Sequence, residues 1–183
     1  MCDEIPRIET GMHFAIVRHR NEVGRPSNTG RLAHLALPNS SMHCVGRKDE
    51  PLDPSALTRG NTWLLFPEGP ALAPDAAVQR PDRIVVLDGT WHQARHMRQR
   101  LTVLRGIPIL RLPAPKMSRE RLRTPPSVDS YSTLEAIAAV ITRLENAAGG
   151  DALFALYDTV VQRSISGQRT ELRAWDSSHH AEG

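Results

Sequence analysis

The chemistry in this 183-residue chain concentrates in the stretch IVVLDGTWHQARHMRQR, residues 84–100. An apolar run ends in Asp88, and Gly89, Thr90 and Trp91 follow before a segment crowded with arginine and histidine. A carboxylate at the end of a buried strand has two readings. It can cap the helix that follows, or, partly desolvated and so more basic, it can serve as a general base or as the partner of a cation. Gly89 permits a tight turn or the close approach of a ligand. Trp91 and Ala94, three residues apart in a first helical turn, share a face and would form a small apolar cup, a seat for a methyl group or a purine edge. His92 and His96 stand at i and i+4, but no His-Glu-x-x-His pattern or nearby third ligand accompanies them, so no metal is expected. The chain has no Walker loop, no Gly-x-Gly-x-x-Gly and no Gly-x-Ser-x-Gly, which argues against a standard dinucleotide site and against a serine nucleophile on an elbow.

Charge points the same way. The net charge is only +3, yet residues 80–123 carry 11 basic and 3 acidic side chains, a local excess of +8. Of the 23 basic residues 21 are arginine, the side chain best shaped for bidentate phosphate contacts and for stacking on bases. An anionic partner is the expectation. Cys2 and Cys44 are the only cysteines, too few for a disulfide framework. No stretch approaches the roughly 20 apolar residues that a membrane span needs, and no signal-like segment opens the chain; the expected location is the cytoplasm, away from membranes.

The elements that must position this chemistry can be read from periodicity. HFAIVRH (13–19), MHCVGR (42–47), TWLLF (62–66), RIVVLD (83–88) and IPILRLP (107–113) are expected strands, with 83–88 apolar on both faces as in the interior of a parallel sheet. Residues 28–37 suit a turn feeding a helix. The helix after Trp91 places Ala94, Met97, Leu101 and Leu104 on one face. Residues 114–131 read as a long loop. Ser132 and Glu135 fit a capping box opening a helix that ends near Gly149-Gly150, and a last helix is expected over 151–165. Strands alternating with helices imply an α/β domain, a mainly parallel sheet flanked by helices. Ligands gather at the carboxyl ends of such strands, where LFPEG, LDGTW and RLPAPKMSRERLR would converge.

Four stretches, PSNTGRLAHLAL, LLFPEG, VVLDGTWHQARHM and STLEAIAAVI, stand in the order and approximate spacing of the DTW-domain proteins, and Asp88-Gly89-Thr90-Trp91 matches that family's Asp-x-Thr-Trp signature. The resemblance runs from about Cys2 to about Ser166. It implies a fold similar to the SPOUT methyltransferases, with a C-terminal trefoil knot cradling S-adenosylmethionine, in one domain over residues 1–175 followed by a polar tail, 176–183. It implies transfer of the 3-amino-3-carboxypropyl group of S-adenosylmethionine to N3 of a tRNA uridine, forming acp3U and releasing methylthioadenosine. Asp88, Thr90 and Trp91 are then the catalytic residues, with Asp88 either the base for N3 or the partner of the sulfonium. Trp91 and Ala94 would bury the methyl so that the aminocarboxypropyl carbon faces the nucleophile.

The resemblance assigns donor binding to Phe66, Pro67, Glu68, Gly69, Leu87, Asp88, Gly89, Trp91, Ala94, Leu112, Pro113, Ser132, Thr133 and Leu134. Loops 67–69 and 112–113 would meet the adenosine, and the N–H groups after Ser132 the carboxylate. Arg31, Arg95, Arg98, Arg100, Arg119, Arg121 and Arg123 are the expected RNA contacts. The opening MCDEIPRIET resembles the trailing edge of the family's upstream cysteine-rich segment with Cys2 retained. In SRERLR, Glu120 stands where the family carries an aromatic residue. A SPOUT-type RNA methyltransferase and a non-catalytic RNA-binding module are the competing readings. Dimerisation is not readable from the sequence.

Overall fold

The computed structural model describes residues 5–46, 52–69, 80–115, 122 and 130–165. Its elements are β1 (His13–His19), α1 (Thr29–Ala36), β2 (Ser40–Val45), β3 (Thr62–Leu65), β4 (Arg83–Asp88), α2 (Trp91–Arg100), β5 (Ile109–Leu110), α3 (Thr133–Leu144) and α4 (Ala147–Ile165). The five strands form one sheet in the order β2-β1-β4-β3-β5, and every pairing is parallel. This is the α/β architecture expected from the alternation of strands and helices. No helix among the described residues is long and apolar enough to cross a membrane.

The central strands are apolar on both faces because helices cover both. Successive side chains of a strand point to opposite sides, so Phe14, Ile16, Ile84 and Val86 join one core with α1, α3 and α4. Ala15, Val17, Val85 and Leu87 join a second core with α2. Asp88 continues the parity of Ile84 and Val86. It therefore points toward α1 and α3, while the chain beyond it turns to α2 on the opposite face.

Several boundaries differ from expectation. The strand expected over 42–47 occupies Ser40–Val45 at the sheet's edge. The strand expected over 107–113 shrinks to Ile109–Leu110, which pairs only with Leu64 and Leu65. Pro108 and Pro113 flank it, and neither has an N–H to extend a ladder. The apolar stripe after Trp91 is real, but α2 stops at Arg100. Leu101 is its C-cap and Leu104 reaches the core from a 3-10 turn.

Gly149-Gly150 do not end α3, which stops at Leu144; they lie inside α4, which starts at Ala147 and not at residue 151. Helix packing explains the glycine at 150. A Cβ there would overlap the Thr142 hydroxyl and sit 2.8 Å from the Ala138 carbonyl oxygen. Glycine, normally costly within a helix, is what lets α4 lie this close to α3. Most of the expected 114–131 loop and the polar tail lie outside the described residues.

Candidate active site

The site forms at the carboxyl edge of the sheet. Asp88, the last residue of β4, is 4% exposed. Asn28 Nδ2 donates to its Oδ2 at 2.6 Å, and Thr133 Oγ1 lies 2.7 Å from its Oδ1. Gly30 closes a third side: a Cβ there would lie 2.6 Å from the Asp88 carboxyl carbon and within 2.8 Å of both oxygens. Asp88 thus sits where the first turns of α1 and α3 converge. Burial raises its pKa above the usual carboxylate range. The hydrogen bonds from Thr133 and Asn28 oppose the rise, buried Glu22 adds to it, and Arg18, its register partner on β1, opposes it.

The helix-cap alternative for Asp88 is overturned. Thr90 caps α2: its side chain accepts from Gln93 N, and Gln93 Oε1 accepts from Thr90 N at 2.8 Å. The reason is parity, since Asp88 leaves the sheet on the face away from α2. Ser132 caps α3 in the expected capping box with Glu135. That leaves the N–H groups of Thr133 and Leu134, in the first turn, to whatever occupies the adjacent space.

That space is a cavity of about 1040 Å3, roomy enough for a nucleoside-sized donor together with a second planar ring. Of the expected donor-binding residues, Phe66, Pro67, Glu68, Leu87, Asp88, Gly89, Trp91, Ala94, Leu112, Ser132 and Thr133 line it, and so does Thr90. Trp91 stacks on Phe66 with ring centroids 5.6 Å apart, and buried Ala94 lies beside them. The expected apolar cup is therefore a three-sided wall, with Phe66 its third member. Gly69 and Pro113 fall outside the lining; Pro113 accepts instead from the Tyr131 hydroxyl at 3.0 Å. Leu134 also falls outside the lining, its side chain being fully buried in the core under α3.

The arginines divide. Arg95 pairs with Glu68 at 3.3 Å and lies over the Trp91 ring at 5.6 Å, and Arg98 lies over Phe66 at 4.6 Å. Both therefore cover the back of the aromatic pair as well as presenting charge. Arg100 is exposed at the end of α2, and Arg31 is half-buried on α1. Arg119, Arg121 and Arg123 lie outside the described residues. The His92 and His96 rings meet at 4.4 Å, tilted by 39°, and among the described residues no group of three metal-ligating side chains gathers.

Sequence reasoning missed Glu22, Asn28, Thr29, Tyr131 and Tyr157, all in the cavity lining. Asn28 had a local signal, since PSNTG carries a helix N-cap. Glu22 had none: its burial follows from the turn after β1 folding over the sheet edge.

A family model described as "DTW domain" matches residues 1–165. Over 157 residues the chain is 27% identical to tRNA-uridine aminocarboxypropyltransferase 2 of Macaca fascicularis, a match covering 79% of this chain and 52% of that one. The chain thus spans about half the length of that curated relative. Its fold is similar to that of the SAM-dependent rRNA:acp-transferase Tsr3 from Vulcanisaeta distributa, with a TM-score of 0.54 at 17% identity, over 91% of this chain and 84% of that one.

Proposed function

Since the chain belongs to the DTW domain family, we propose that it transfers the 3-amino-3-carboxypropyl group of S-adenosylmethionine to N3 of a tRNA uridine, yielding acp3U and methylthioadenosine. The observation that carries this reading is a single cavity that places the buried Asp88 carboxyl and the Phe66–Trp91–Ala94 wall within one space. The names of the similar proteins support the same donor and reaction class.

All three carbons on the sulfonium are electrophilic, so geometry selects the product. Trp91, Phe66 and Ala94 hold the methyl against an apolar wall, leaving the aminocarboxypropyl carbon toward the nucleophile. Thr133 and Leu134 offer backbone N–H groups to the donor's carboxylate at the start of α3. Asp88 accepts the N3 proton or offsets the sulfonium charge. Arg95, Arg98 and Arg100 lie on α2, beside the cavity wall, where RNA phosphates would meet them.

The same reading takes residues 1–175 as one domain of SPOUT-like arrangement with a C-terminal trefoil knot. The all-parallel sheet with its loaded loops at the carboxyl edge supports it. A cytoplasmic location goes with a tRNA substrate. The test is chromatography of a mixture of protein, S-adenosylmethionine and unmodified tRNA. Methylthioadenosine and acp3U are expected in equal amounts. S-adenosylhomocysteine in their place would make the protein a methyltransferase, and no donor binding at millimolar concentration would leave only an RNA-binding module.

A further inference from the structure

Asp88 lines the cavity but offers a reactant little surface, and Thr133 lines the same cavity beside it. Asn28 occupies Oδ2, Thr133 occupies Oδ1, and the Gly30 backbone covers the carboxylate between them. With 4% of the residue exposed, little of the carboxylate meets the cavity. The two hydrogen-bond partners differ in one chemical respect. A carboxamide N–H2 can only donate, so Asn28 holds Oδ2 as an acceptor whatever the protonation state of Asp88. A hydroxyl both donates and accepts, so the Thr133 contact survives if Asp88 gains a proton on Oδ1. Thr133 also lines the cavity, half-buried at the first helical position of α3.

We propose that the Thr133 hydroxyl relays the proton of the uridine N3 to Asp88, making it the group that meets the nucleophile. The proposal rests on the transferase reading above. Uridine N3–H gives its proton to Thr133 Oγ1 as the Thr133 hydroxyl proton passes to Asp88 Oδ1. N3 then forms its bond to the aminocarboxypropyl carbon while that carbon's bond to sulfur breaks. The electron pair stays on sulfur, so the positive sulfonium becomes the neutral thioether of methylthioadenosine. Asp88 ends protonated and returns its proton to water through Thr133. Charge balances: a cationic donor and a neutral uridine give two neutral products and one proton.

Burial supports the role by making the Asp88 carboxyl a stronger proton acceptor than an ordinary one. Among the described residues, the charged groups acting on it are Glu22, whose own partner is Arg25 at 3.2 Å, and Arg18 on β1. On α3 the nearest carboxylate, Glu135, is committed to the capping box.

The experiment compares single-turnover rates of methylthioadenosine release for the wild-type protein, Thr133→Val, Thr133→Ser and Asp88→Asn between pH 6 and 9, with S-adenosylmethionine affinity measured by calorimetry. Thr133→Val is expected to lose about 100-fold or more, the scale of general-base catalysis, at an affinity within a few-fold of wild type. Its remaining rate should climb with pH as solvent takes over deprotonation of N3. Thr133→Ser should recover the rate to within about 10-fold of wild type and restore the wild-type pH profile. A Thr133→Val rate close to wild type with an unchanged pH profile overturns the relay while leaving the transferase intact; no methylthioadenosine from the wild-type protein overturns both. If Thr133→Val lacks a thermal unfolding transition, a proton inventory of the wild-type protein in mixed light and heavy water decides. A bowed curve shows two protons in flight, and a straight line overturns the relay.

Discussion

The Asn28 carboxamide joins a helix to the buried carboxyl. Its Nδ2 donates to Asp88 Oδ2 at 2.6 Å, while its Oδ1 accepts from the N–H of Arg31 at 2.7 Å, capping α1. One side chain thereby fixes the start of α1 and the orientation of Asp88. On α3 the two tasks are split: Ser132 caps the helix, and the neighbouring Thr133 holds Asp88 Oδ1 at 2.7 Å. Movement of either helix start would re-aim the carboxyl, so stability and activity should be coupled at these positions.

Gly30 tests that coupling. Its missing Cβ leaves room for the Asp88 carboxylate, which would otherwise be met at 2.6 Å. Gly30→Ala should cost about 1–3 kcal/mol through overpacking and should abolish activity. Adding Asp88→Ala should return part of the stability in urea denaturation and none of the activity. Simple additivity of the two changes would refute the contact.

Asp88 makes stability depend on pH in a defined direction. Because its folded pKa is raised, the native state holds a proton that the unfolded chain has already released. Its contribution is fully favourable below the ordinary carboxylate range and declines as pH rises toward the raised value. Asp88→Asn keeps the shape and can still accept from Asn28 and donate to Thr133. Relative to this variant, wild type should therefore lose stability between about pH 4 and its raised pKa, the lower limit being the ordinary carboxylate value. Urea titrations at several pH values read the slope, and a wild type that gains on the variant with rising pH contradicts the assignment.

In the proposed reaction Trp91 selects which carbon of the donor is presented. Trp91→Ala removes the stack on Phe66 at 5.6 Å, worth about 0.5–1.5 kcal/mol beyond its buried area. Donor affinity should fall about 10-fold, equivalent to 1.4 kcal/mol. A released methyl should also shift part of the turnover to S-adenosylhomocysteine. Chromatography gives the ratio of the two nucleoside products, and a variant with an unaltered ratio would remove Trp91 from product selection.

Arg100 separates RNA docking from donor binding, being exposed at the end of α2 and absent from the cavity lining. If it meets a phosphate, Arg100→Ala should lower the slope of log affinity against log salt by about 0.7–0.9, one contact's worth. Its affinity for S-adenosylmethionine should not change. Filter binding of tRNA across salt concentrations measures the slope, and an unchanged slope would place the RNA elsewhere. Arg95→Ala should differ, affecting the donor too, because Arg95 also covers Trp91 and holds Glu68.

Local patterns were enough for the strands His13–His19 and Arg83–Asp88, for the start of α3, and for the grouping of loops at one sheet edge. Each depends on neighbours in sequence: alternation, a capping box, a strand that stops at a glycine turn. The errors fall where packing overrides local preference. Gly149-Gly150 look like a helix stop, yet the approach of α4 to Thr142 and Ala138 needs a glycine inside a helix. The segment 107–113 is apolar enough for a full strand, but flanking prolines and a single neighbour leave it two residues.

The sequence by itself determined the inventory of the site: a carboxylate, a tryptophan and a small alanine at a strand-to-helix turn, with arginines beyond. Spacing within one segment was sufficient because these residues lie within a few positions of one another. The tertiary structure alone decided what that inventory can do. Asn28 and Thr133 reach Asp88 across 60 and 45 residues of chain, and nothing local encodes contacts of that separation. Strand parity sends Asp88 toward α1 and α3, while the chain beyond it turns to the opposite face, where α2 begins at Trp91. The sheet's edge therefore divides the motif into a buried carboxyl on one side and an apolar wall on the other, with one cavity between them.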